Sequence, residues 1–295
     1  MEKRTYGSTG MEVSVLGFGA SEIGSGVSQQ DVDKLLGSAI DAGLNIIDTA
    51  ECYGDSEELI GRSIAHRRDD FYLFTKCGHA AGIDGPDWDP VTLAATIDRS
   101  LKRLQVDHVD MIHLHSCSEE VLRQGAVIEV LQQAKKAGKT RYIGYSGDTT
   151  DALYAIRTDA FDSLETSLNV ADQEAIQLTL PEAVKRNMGV TIKRPIANAA
   201  WLFDTVEPSD YAYVYWKRLR ELNYGFQFEE DSVATALRFT LSTPGVHTAI
   251  VGTTKPDRWH QNAKLIEAGP LEAERYEEIV RRWREIAPAD WTGRT

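Results

Sequence analysis

The sequence predicts a protein of the α/β class, a closed eight-stranded (β/α)8 barrel of the TIM type. Eight short apolar segments, rich in β-branched or aromatic residues, alternate with eight segments of helical periodicity. Each strand-and-helix unit takes roughly 30 to 35 residues, which fits a closed barrel better than an open sheet with a second domain. Because no linker rich in proline, glycine or serine divides the chain, residues 1–295 are predicted to form a single domain.

The elements follow one another in a regular order. Residues 4–6 and 12–14 flank a glycine-containing turn, which predicts an N-terminal β-hairpin. The connection at 196–231 exceeds the usual ~2 to 6 residues, so a long loop is expected after strand 7. An extra C-terminal helix is predicted at 271–286. The barrel strands are predicted at 13–19, 45–49, 71–76, 109–115, 141–145, 161–167, 189–193 and 248–252, and the helices at 30–42, 56–66, 90–104, 126–137, 150–158, 175–186, 232–241 and 256–268.

Charge and composition narrow the range of functions. Lysine and arginine total 32 against 45 aspartates and glutamates, a formal net charge of −13, which argues against binding nucleic acid or an anionic membrane. The N-terminus lacks the apolar core of a signal peptide and no segment is long enough to span a bilayer, so a cytoplasmic location is expected. Three cysteines predict reduced thiols. A small-molecule partner fits these features, while the oligomeric state stays open.

Three successive strands end in ionisable residues. The second strand ends in Asp48, with Tyr53 five residues beyond it, the third ends in Lys76 and the fourth in His115. In (β/α)8 barrels the active site lies at the C-terminal ends of the strands, so these side chains should lie close together. A buried Asp–Lys pair or a lone strand histidine also occurs as a purely structural feature, which makes the combination the informative signal.

The combination suits proton transfer. A phenol has a pKa near ~10, and a neighbouring ammonium group would lower it. Lys76 is therefore predicted to activate Tyr53, Asp48 to hold Lys76 charged, and His115 to hydrogen-bond a substrate carbonyl. Because this set supplies a proton but no hydride, a hydride-carrying cofactor is implied.

These residues resemble the aldo-keto reductase superfamily over essentially the whole chain. The resemblance implies Tyr53 as the general acid/base, completed by Asp48, Lys76 and His115. His115 takes the histidine position because it stands five residues after Asp110. The segments that carry the resemblance are GFGA at 17–20, DTAECYG at 48–54, TK at 75–76, DMIHLH at 110–115 and GYS at 144–146.

The resemblance also implies an extended nicotinamide dinucleotide bound across the barrel mouth. The segment 250–262 is similar to the family's adenosine-phosphate segment, with Arg258 where the family contacts a 2′-phosphate and Asn262 where it contacts adenine. A planar guanidinium at the start of a helix suits a phosphate. NADP is therefore the predicted cofactor, with NAD as the second choice. The predicted cofactor-binding residues are Ala20, Ser21, Ser146, Glu165, Lys193, Arg194, Pro195, Ile196, Asn198, Gly252, Thr253, Arg258, Gln261 and Asn262.

The chain departs from the family's cofactor-binding pattern at four positions. Lys193 replaces a tyrosine that stacks on the nicotinamide, and Gly252 replaces a lysine common in one branch. Gly147 stands for an asparagine and Glu165 for a glutamine. An ionised Glu165 can accept a hydrogen bond from the carboxamide nitrogen but cannot donate one to its oxygen.

Other interpretations of single motifs are weaker. The segment 17–22 nearly matches a Rossmann glycine motif but lacks its third glycine. The spacings of Cys52, Cys77 and Cys117 match no common zinc pattern, so no metal site is predicted. Trp88 and Trp201 either line the substrate pocket or only pack loops onto the barrel.

The sequence thus predicts an NADP-dependent oxidoreductase that transfers hydride between the cofactor and an aldehyde, ketone or sugar. The alternative is a cofactor-binding regulatory or sensor protein on the same barrel, with little turnover. A third possible function is that of a lyase or isomerase that uses Lys76 as a Schiff-base nucleophile.

Overall fold

The computed structural model describes residues 1–256 and 258–294 and contains the predicted closed barrel. Strands β3 to β10 pair in parallel in sequence order, and β10 closes the ring by pairing with both β9 and β3. Strands β1 and β2 form the separate antiparallel hairpin. The strands are β1 Lys3–Thr5, β2 Glu12–Ser14, β3 Leu16–Gly19, β4 Ile46–Asp48, β5 Tyr72–Cys77, β6 Val109–His115, β7 Thr140–Ser146, β8 Ser163–Ser167, β9 Gly189–Lys193 and β10 Thr248–Val251.

The helices surround the barrel and bury their apolar faces against it. Helix α1 shows the pattern, because its buried residues Val32, Leu35, Leu36, Ala39 and Ile40 recur at helical spacing. No helix among the described residues is apolar over a length sufficient to cross a membrane. The helices are α1 Gln29–Asp41, α2 Ser56–Ile64, α3 Pro90–Leu104, α4 Glu119–Arg123, α5 Ala126–Lys136, α6 Thr149–Arg157, α7 Glu174–Leu178, α8 Leu180–Lys185, α9 Tyr213–Leu222, α10 Ser232–Ser242, α11 Arg258–Lys264 and α12 Ala273–Ile286.

The N-terminal hairpin closes one end of the barrel. Tyr6 is fully buried and packs with Phe74 and Met111 from the barrel strands. Its hydroxyl lies 2.7 Å from the Thr191 hydroxyl on β9. This packing fills the N-terminal end, so the open mouth lies at the opposite end, where the strands finish.

The long connection after β9 has structure of its own. It contains α9, whose buried residues Tyr215, Leu219 and Leu222 pack in a second apolar cluster beside the barrel. The expected length of this connection is confirmed, but most of it folds as helix and turn rather than as open loop. In the eighth unit, the helix predicted at 256–268 forms α11, which is shorter and covers Arg258–Lys264.

Candidate active site

Parallel pairing brings the predicted strand-end residues to one level of the barrel. Asp48 at the end of β4 pairs with Gly19 of β3 and Phe74 of β5. Farther round, His115 pairs with Ser146, and Ser146 pairs with Glu165. Because Asp48, His115 and Glu165 lie at or near the C-terminal ends of their strands, their side chains converge on the open mouth.

A buried lysine and two carboxylates form the base of the site. The Lys76 ammonium donates to the Asp48 carboxylate and, at 3.0 Å, to the Thr49 carbonyl oxygen, and it lies 3.4 Å from Glu165 Oε1. Lys76, Asp48 and Glu165 are each only 1% exposed. This arrangement places one positive charge between two carboxyl groups at the buried base of the cavity.

The charges in this cluster determine one another's protonation. Burial favours neutral Lys76, but Asp48 and Glu165 outweigh it and raise the pKa of the lysine, which stays charged. Burial and the neighbouring Glu165 raise the pKa of Asp48 well above its usual value, whereas the cations around Glu165, Lys76 first among them, overcome burial and lower its pKa to about 2. A permanently charged Lys76 cannot act as an amine nucleophile, which counts against the Schiff-base alternative.

Two glycines position the Tyr53 loop. Gly54 has φ +53°, and a Cβ there would lie 2.2 Å from the Gly24 carbonyl oxygen. A Cβ on Gly24 would in turn lie 2.0 Å from the Tyr53 carbonyl oxygen. Only residues without side chains allow this close backbone contact, which fixes the start of the turn beside β4.

Tyr53 lies close both to the Lys76 ammonium group and to His115, the partly buried histidine at the end of the fourth barrel strand. The Lys76 Nζ lies 5.3 Å from the centroid of the Tyr53 ring, and the His115 ring centroid lies 5.7 Å away in an edge-to-face arrangement of 83°. Tyr53 and His115 both line the same cavity. The phenol, the imidazole and the ammonium group therefore meet at the mouth of the barrel.

The electrostatics of Tyr53 differ from the sequence-based argument. Burial raises the pKa of Tyr53 above its ordinary value. Lys76 lowers it, as predicted, but Asp48 and Glu165 raise it again, so the net shift is upward. In the absence of ligand the phenol is a protonated group, which suits a proton donor.

The two histidines of β6 have different surroundings. His113 is 0% exposed, and its Nε2 lies 2.9 Å from the Ser163 hydroxyl. His115 lines the cavity, and its Nδ1 lies 3.6 Å from the sulfur of Cys52. This placement agrees with the choice of His115 over His113 as the histidine of the site.

The surroundings of His115 are compatible with a neutral ring that carries its proton on Nε2. Burial lowers the pKa of His115 well below its usual value, so the ring is neutral. Burial and the Glu51 charge raise the pKa of the Cys52 thiol to about 12, so the thiol keeps its proton. Cys52 can then donate to Nδ1, which leaves the ring proton on Nε2. A neutral His115 with a free Nε2–H can donate a hydrogen bond to a carbonyl oxygen.

A cavity of about 670 Å³ opens above these groups. Its size falls within the range of roughly 300 to 1,000 Å³ that is typical of small-molecule and cofactor sites. Many of the predicted cofactor-binding residues lie in its wall. Those in the wall are Ala20, Ser21, Glu165, Lys193, Arg194, Pro195, Ile196, Asn198 and Gly252.

The remaining predicted cofactor residues lie outside the cavity wall. Ser146 is buried behind it and donates to Glu165 Oε1 at 3.2 Å. Thr253 accepts a bond from the Lys255 backbone at 3.1 Å. On α11, Arg258 and Gln261 are exposed, whereas Asn262 is buried.

The two tryptophans predicted for a substrate pocket also lie outside the cavity wall. Trp88 packs on His79 with ring centroids 5.2 Å apart, and His79 packs on His115 at the same separation. Trp201 packs against Phe226, and its indole donates to the Ser232 hydroxyl at 3.2 Å. In this state both side chains pack loops against the barrel.

Two cavity residues with polar side chains were missed by the sequence analysis. Glu22 lies so close to Gly252 that a Cβ on that glycine would come within 1.5 Å of its carboxylate, and burial raises the pKa of Glu22. Tyr211 reaches the cavity from the long connection, where its hydroxyl accepts a bond from Arg194. The only feature of the sequence that could have indicated the position of Glu22 is the glycine at 252, because a residue without a side chain leaves room for a neighbouring side chain.

Comparisons with known proteins agree with this geometry. Residues 15–284 match the model of the Aldo/keto reductase family. An uncharacterized oxidoreductase of Bacillus subtilis, YqkF, is 27% identical over 93% of this chain and 94% of its own. L-galactose dehydrogenase of Arabidopsis thaliana is 33% identical over 67% of this chain and 66% of its own.

A solved structure extends the likeness to the fold. The holo form of aldo-keto reductase AKR11C1 from Bacillus halodurans superposes with a TM-score of 0.82 at 25% identity, covering 96% of each chain. The family match and this superposition both include the strands that carry Asp48, Lys76 and His115. The chain belongs to the aldo/keto reductase family, a family of nicotinamide-dependent oxidoreductases.

Proposed function

We propose that the protein transfers hydride reversibly between NADP(H) and an aldehyde, ketone or sugar, with Tyr53 as the general acid and base. The observation that carries the proposal is the meeting of Tyr53 and His115 in one cavity wall, above the buried charge of Lys76. Together these groups can protonate and orient a carbonyl oxygen.

The chain's own residues divide the work of proton transfer. In reduction, the protonated Tyr53 donates its hydroxyl proton to the substrate oxygen while the His115 Nε2–H holds that oxygen in place. In oxidation, the same phenol must lose its proton, and the charge of Lys76 stabilises the phenolate that forms. Asp48 holds the Lys76 side chain in position.

The cavity fits a nicotinamide group at its buried end. Among the described residues, Glu165 Oε2 has no hydrogen-bond partner although it is buried, and Glu165 is part of the cavity wall. An ionised carboxylate here would accept a bond from a carboxamide N–H2. When bound, the cofactor supplies or takes up the hydride, which no side chain of the cluster can do.

The choice between NADP and NAD depends on opposing charges. Arg258 lies exposed on α11 and can pair with a 2′-phosphate. Glu22, beside Gly252, introduces a carboxylate near the predicted phosphate segment and opposes a dianionic group. We favour NADP(H) because a guanidinium paired directly with a phosphate outweighs a carboxylate whose pKa is raised by burial.

The proposed substrate is a small polar carbonyl compound or a sugar. A relative named L-galactose dehydrogenase acts, by its name, on a sugar. The cavity wall offers polar side chains that suit a polyhydroxy compound, among them Tyr211 and His115. Substrate hydroxyls could bond to these groups, whereas a purely apolar ligand would leave them unpaired.

A cofactor-first experiment tests the proposal. NADPH and NADH are titrated against the protein by fluorescence, and the tighter binder is then used with panels of aldehydes, ketones and aldoses in both directions. We expect tighter binding of NADPH and turnover with at least one compound class. Tight binding without turnover on any panel would favour the regulatory or sensor alternative, and absence of binding would contradict both functions.

A further inference from the structure

A second group of side chains, which the proposed chemistry leaves unused except for His115, meets beside the cavity wall that His115 lines. One ligand atom each from Glu51, Cys52 and His115 lies within 4.8 Å of the other two. We propose that these three side chains form a zinc site, and that Zn²⁺ bound there inhibits the enzyme reversibly. Only the inhibitory effect rests on the proposed function, since metal binding requires no turnover.

The spacing of the donor atoms fits a tetrahedral zinc ion. Zinc binds sulfur at about 2.3 Å and imidazole nitrogen at about 2.0 to 2.1 Å, which places the two donors roughly 3.5 Å apart in a tetrahedron. The Cys52 sulfur lies 3.6 Å from His115 Nδ1. The two donors therefore need almost no rearrangement to bind one ion.

Glu51 provides an independent reason to expect a cation. The side chain is 2% exposed, and its Oε1 accepts a bond from the His79 backbone N–H at 3.0 Å. Its Oε2 has no hydrogen-bond partner among the described residues. A buried carboxylate oxygen without a partner carries an unfavourable free energy, which a bound cation would relieve.

The mixture of donors selects the metal. A thiolate, an imidazole and a carboxylate suit zinc, whereas magnesium and calcium prefer oxygen ligands alone. Three protein ligands leave the fourth position for water. On binding, Zn²⁺ replaces the thiol proton of Cys52 and, because burial raises the pKa of Glu51 to about 8, the carboxyl proton of Glu51 at neutral pH; both protons leave to solvent, and no electron is transferred.

Neighbouring charges permit a dication at this position. The Lys76 charge acts on both Glu51 and Cys52, and it opposes zinc. Its charge is already paired with Asp48 and lies against Glu165. Cys52 is exposed, which gives the ion an entry path from solvent.

Zinc binding would alter the proposed reaction through His115. The ion would bind Nδ1 of His115 and displace the thiol hydrogen bond from Cys52. Held by the ion beside Cys52 and Glu51, the His115 ring would lose the freedom to turn toward a substrate oxygen. Reduction should therefore slow when zinc is bound and recover when a chelator removes it. This proposal revises the sequence-based expectation that the chain has no metal site.

Cobalt provides a test that is independent of activity. Co²⁺ is added to the full chain, and the thiolate-to-cobalt charge-transfer absorption is recorded before and after Zn²⁺ is added in competition. We expect one equivalent of Co²⁺ to give the band and Zn²⁺ to remove it. The Cys52→Ser variant should lose the band, and the matched Cys117→Ser variant, whose thiol lies outside the group, should keep it.

A second measurement compares the affinities of the variants for zinc. Cys52→Ser and Glu51→Gln should each weaken binding at least as much as the ~10 to 100-fold typical of outer-shell changes at metal sites. Circular dichroism checks that each variant is folded. A cobalt band that is absent from the parent protein, or that persists in folded Cys52→Ser, would overturn the site. Tight binding at Cys52 with no loss of reduction rate would overturn the inhibitory role alone.

Discussion

The two halves of the barrel mouth differ in how they are built. The proton-transfer half consists of Asp48, Tyr53, Lys76 and His115, which stand at or just after the ends of β4, β5 and β6. The proposed cofactor half lies across the cavity, at the ends of β3, β8, β9 and β10. Its distinctive wall residues are Glu22, Glu165, Lys193, Arg194 and Gly252.

This difference predicts that substitutions in the two halves affect different properties: the rate of the chemical step in one, and the choice of cofactor in the other. In the proton-transfer half, one short buried cluster fixes the geometry, so a change there should affect the chemical step. In the cofactor half, charged residues stand where neutral ones are common in the family, and Lys193 pairs with Asp148 at 3.1 Å. Changes there should alter which cofactor binds and how the phenol titrates, while the chemistry remains.

The largest effect is expected for Lys76→Met. Removing one partner of a buried ion pair leaves Asp48 and Glu165 uncompensated, which costs about 3 to 5 kcal/mol of unfolding free energy. Turnover should fall by at least ~100-fold, because the group that lowers the pKa of Tyr53 is lost. Urea denaturation and steady-state kinetics measure the two effects. The control is Lys139→Met, which breaks an exposed pair with Asp98 and should cost about 0 to 1 kcal/mol. Equal stability losses in the two variants would contradict the account.

Arg258→Ala should act on the cofactor half alone. Losing a charge-assisted bond to the 2′-phosphate is worth about 1.5 to 3 kcal/mol, or roughly 10 to 100-fold in the Kd for NADPH. The Kd for NADH should hardly change. The matched control on α11 is His260→Ala, which should leave both constants unchanged. If Arg258→Ala weakens NADH and NADPH equally, the residue is not the phosphate contact.

Glu165→Gln should change the pH dependence of oxidation. Glu165 raises the pKa of Tyr53, so removing its charge should lower that pKa. Oxidation requires the deprotonated phenol, so its rate should begin to rise at a lower pH than in the parent protein. Rate–pH profiles of both proteins measure the shift. An unchanged profile, or a shift toward higher pH, would show that Glu165 does not act on the phenol.

The smallest effect is expected for Glu22→Gln. Removing the carboxylate near Gly252 should tighten NADPH binding about five-fold at neutral pH, given the ~1 kcal/mol of a unit-charge interaction in water. Burial raises the pKa of Glu22, so the parent carboxyl becomes neutral as the pH falls and the advantage of the variant should disappear. Fluorescence titrations at several pH values measure this. Weaker binding by the variant would mean that Glu22 contacts the cofactor favourably.

The proton-transfer half was readily predicted from the sequence, because strand ends in a parallel barrel meet at one level. The alternation of apolar and helical segments predicted β6 at residues 109–115 and β9 at residues 189–193, and the structure has both strands at these bounds. Motif spacing then assigned Tyr53 and His115. The proposed roles of these residues, the single-domain organisation and the cytoplasmic location stay predictions.

The cofactor half and the zinc group were harder to predict, since they depend on contacts between distant loops. Glu22 follows β3 and meets Gly252 after β10, a contact that no local pattern encodes. The Cys52 and His115 donors come from different strand ends, so they form no short zinc motif. Likewise, the net upward shift in the pKa of Tyr53 arises from burial, which the list of neighbouring charges did not include.

The most direct test of the central claim is the Tyr53→Phe variant, which removes one hydroxyl and keeps the ring beside Lys76. Turnover of the best substrate and the Kd of the cofactor are measured on the same preparation. We predict a loss of turnover of at least ~100-fold with a nearly unchanged Kd, because a general acid contributes to the chemical step and not to cofactor binding. Turnover close to that of the parent protein would contradict the assignment of Tyr53 as the proton donor.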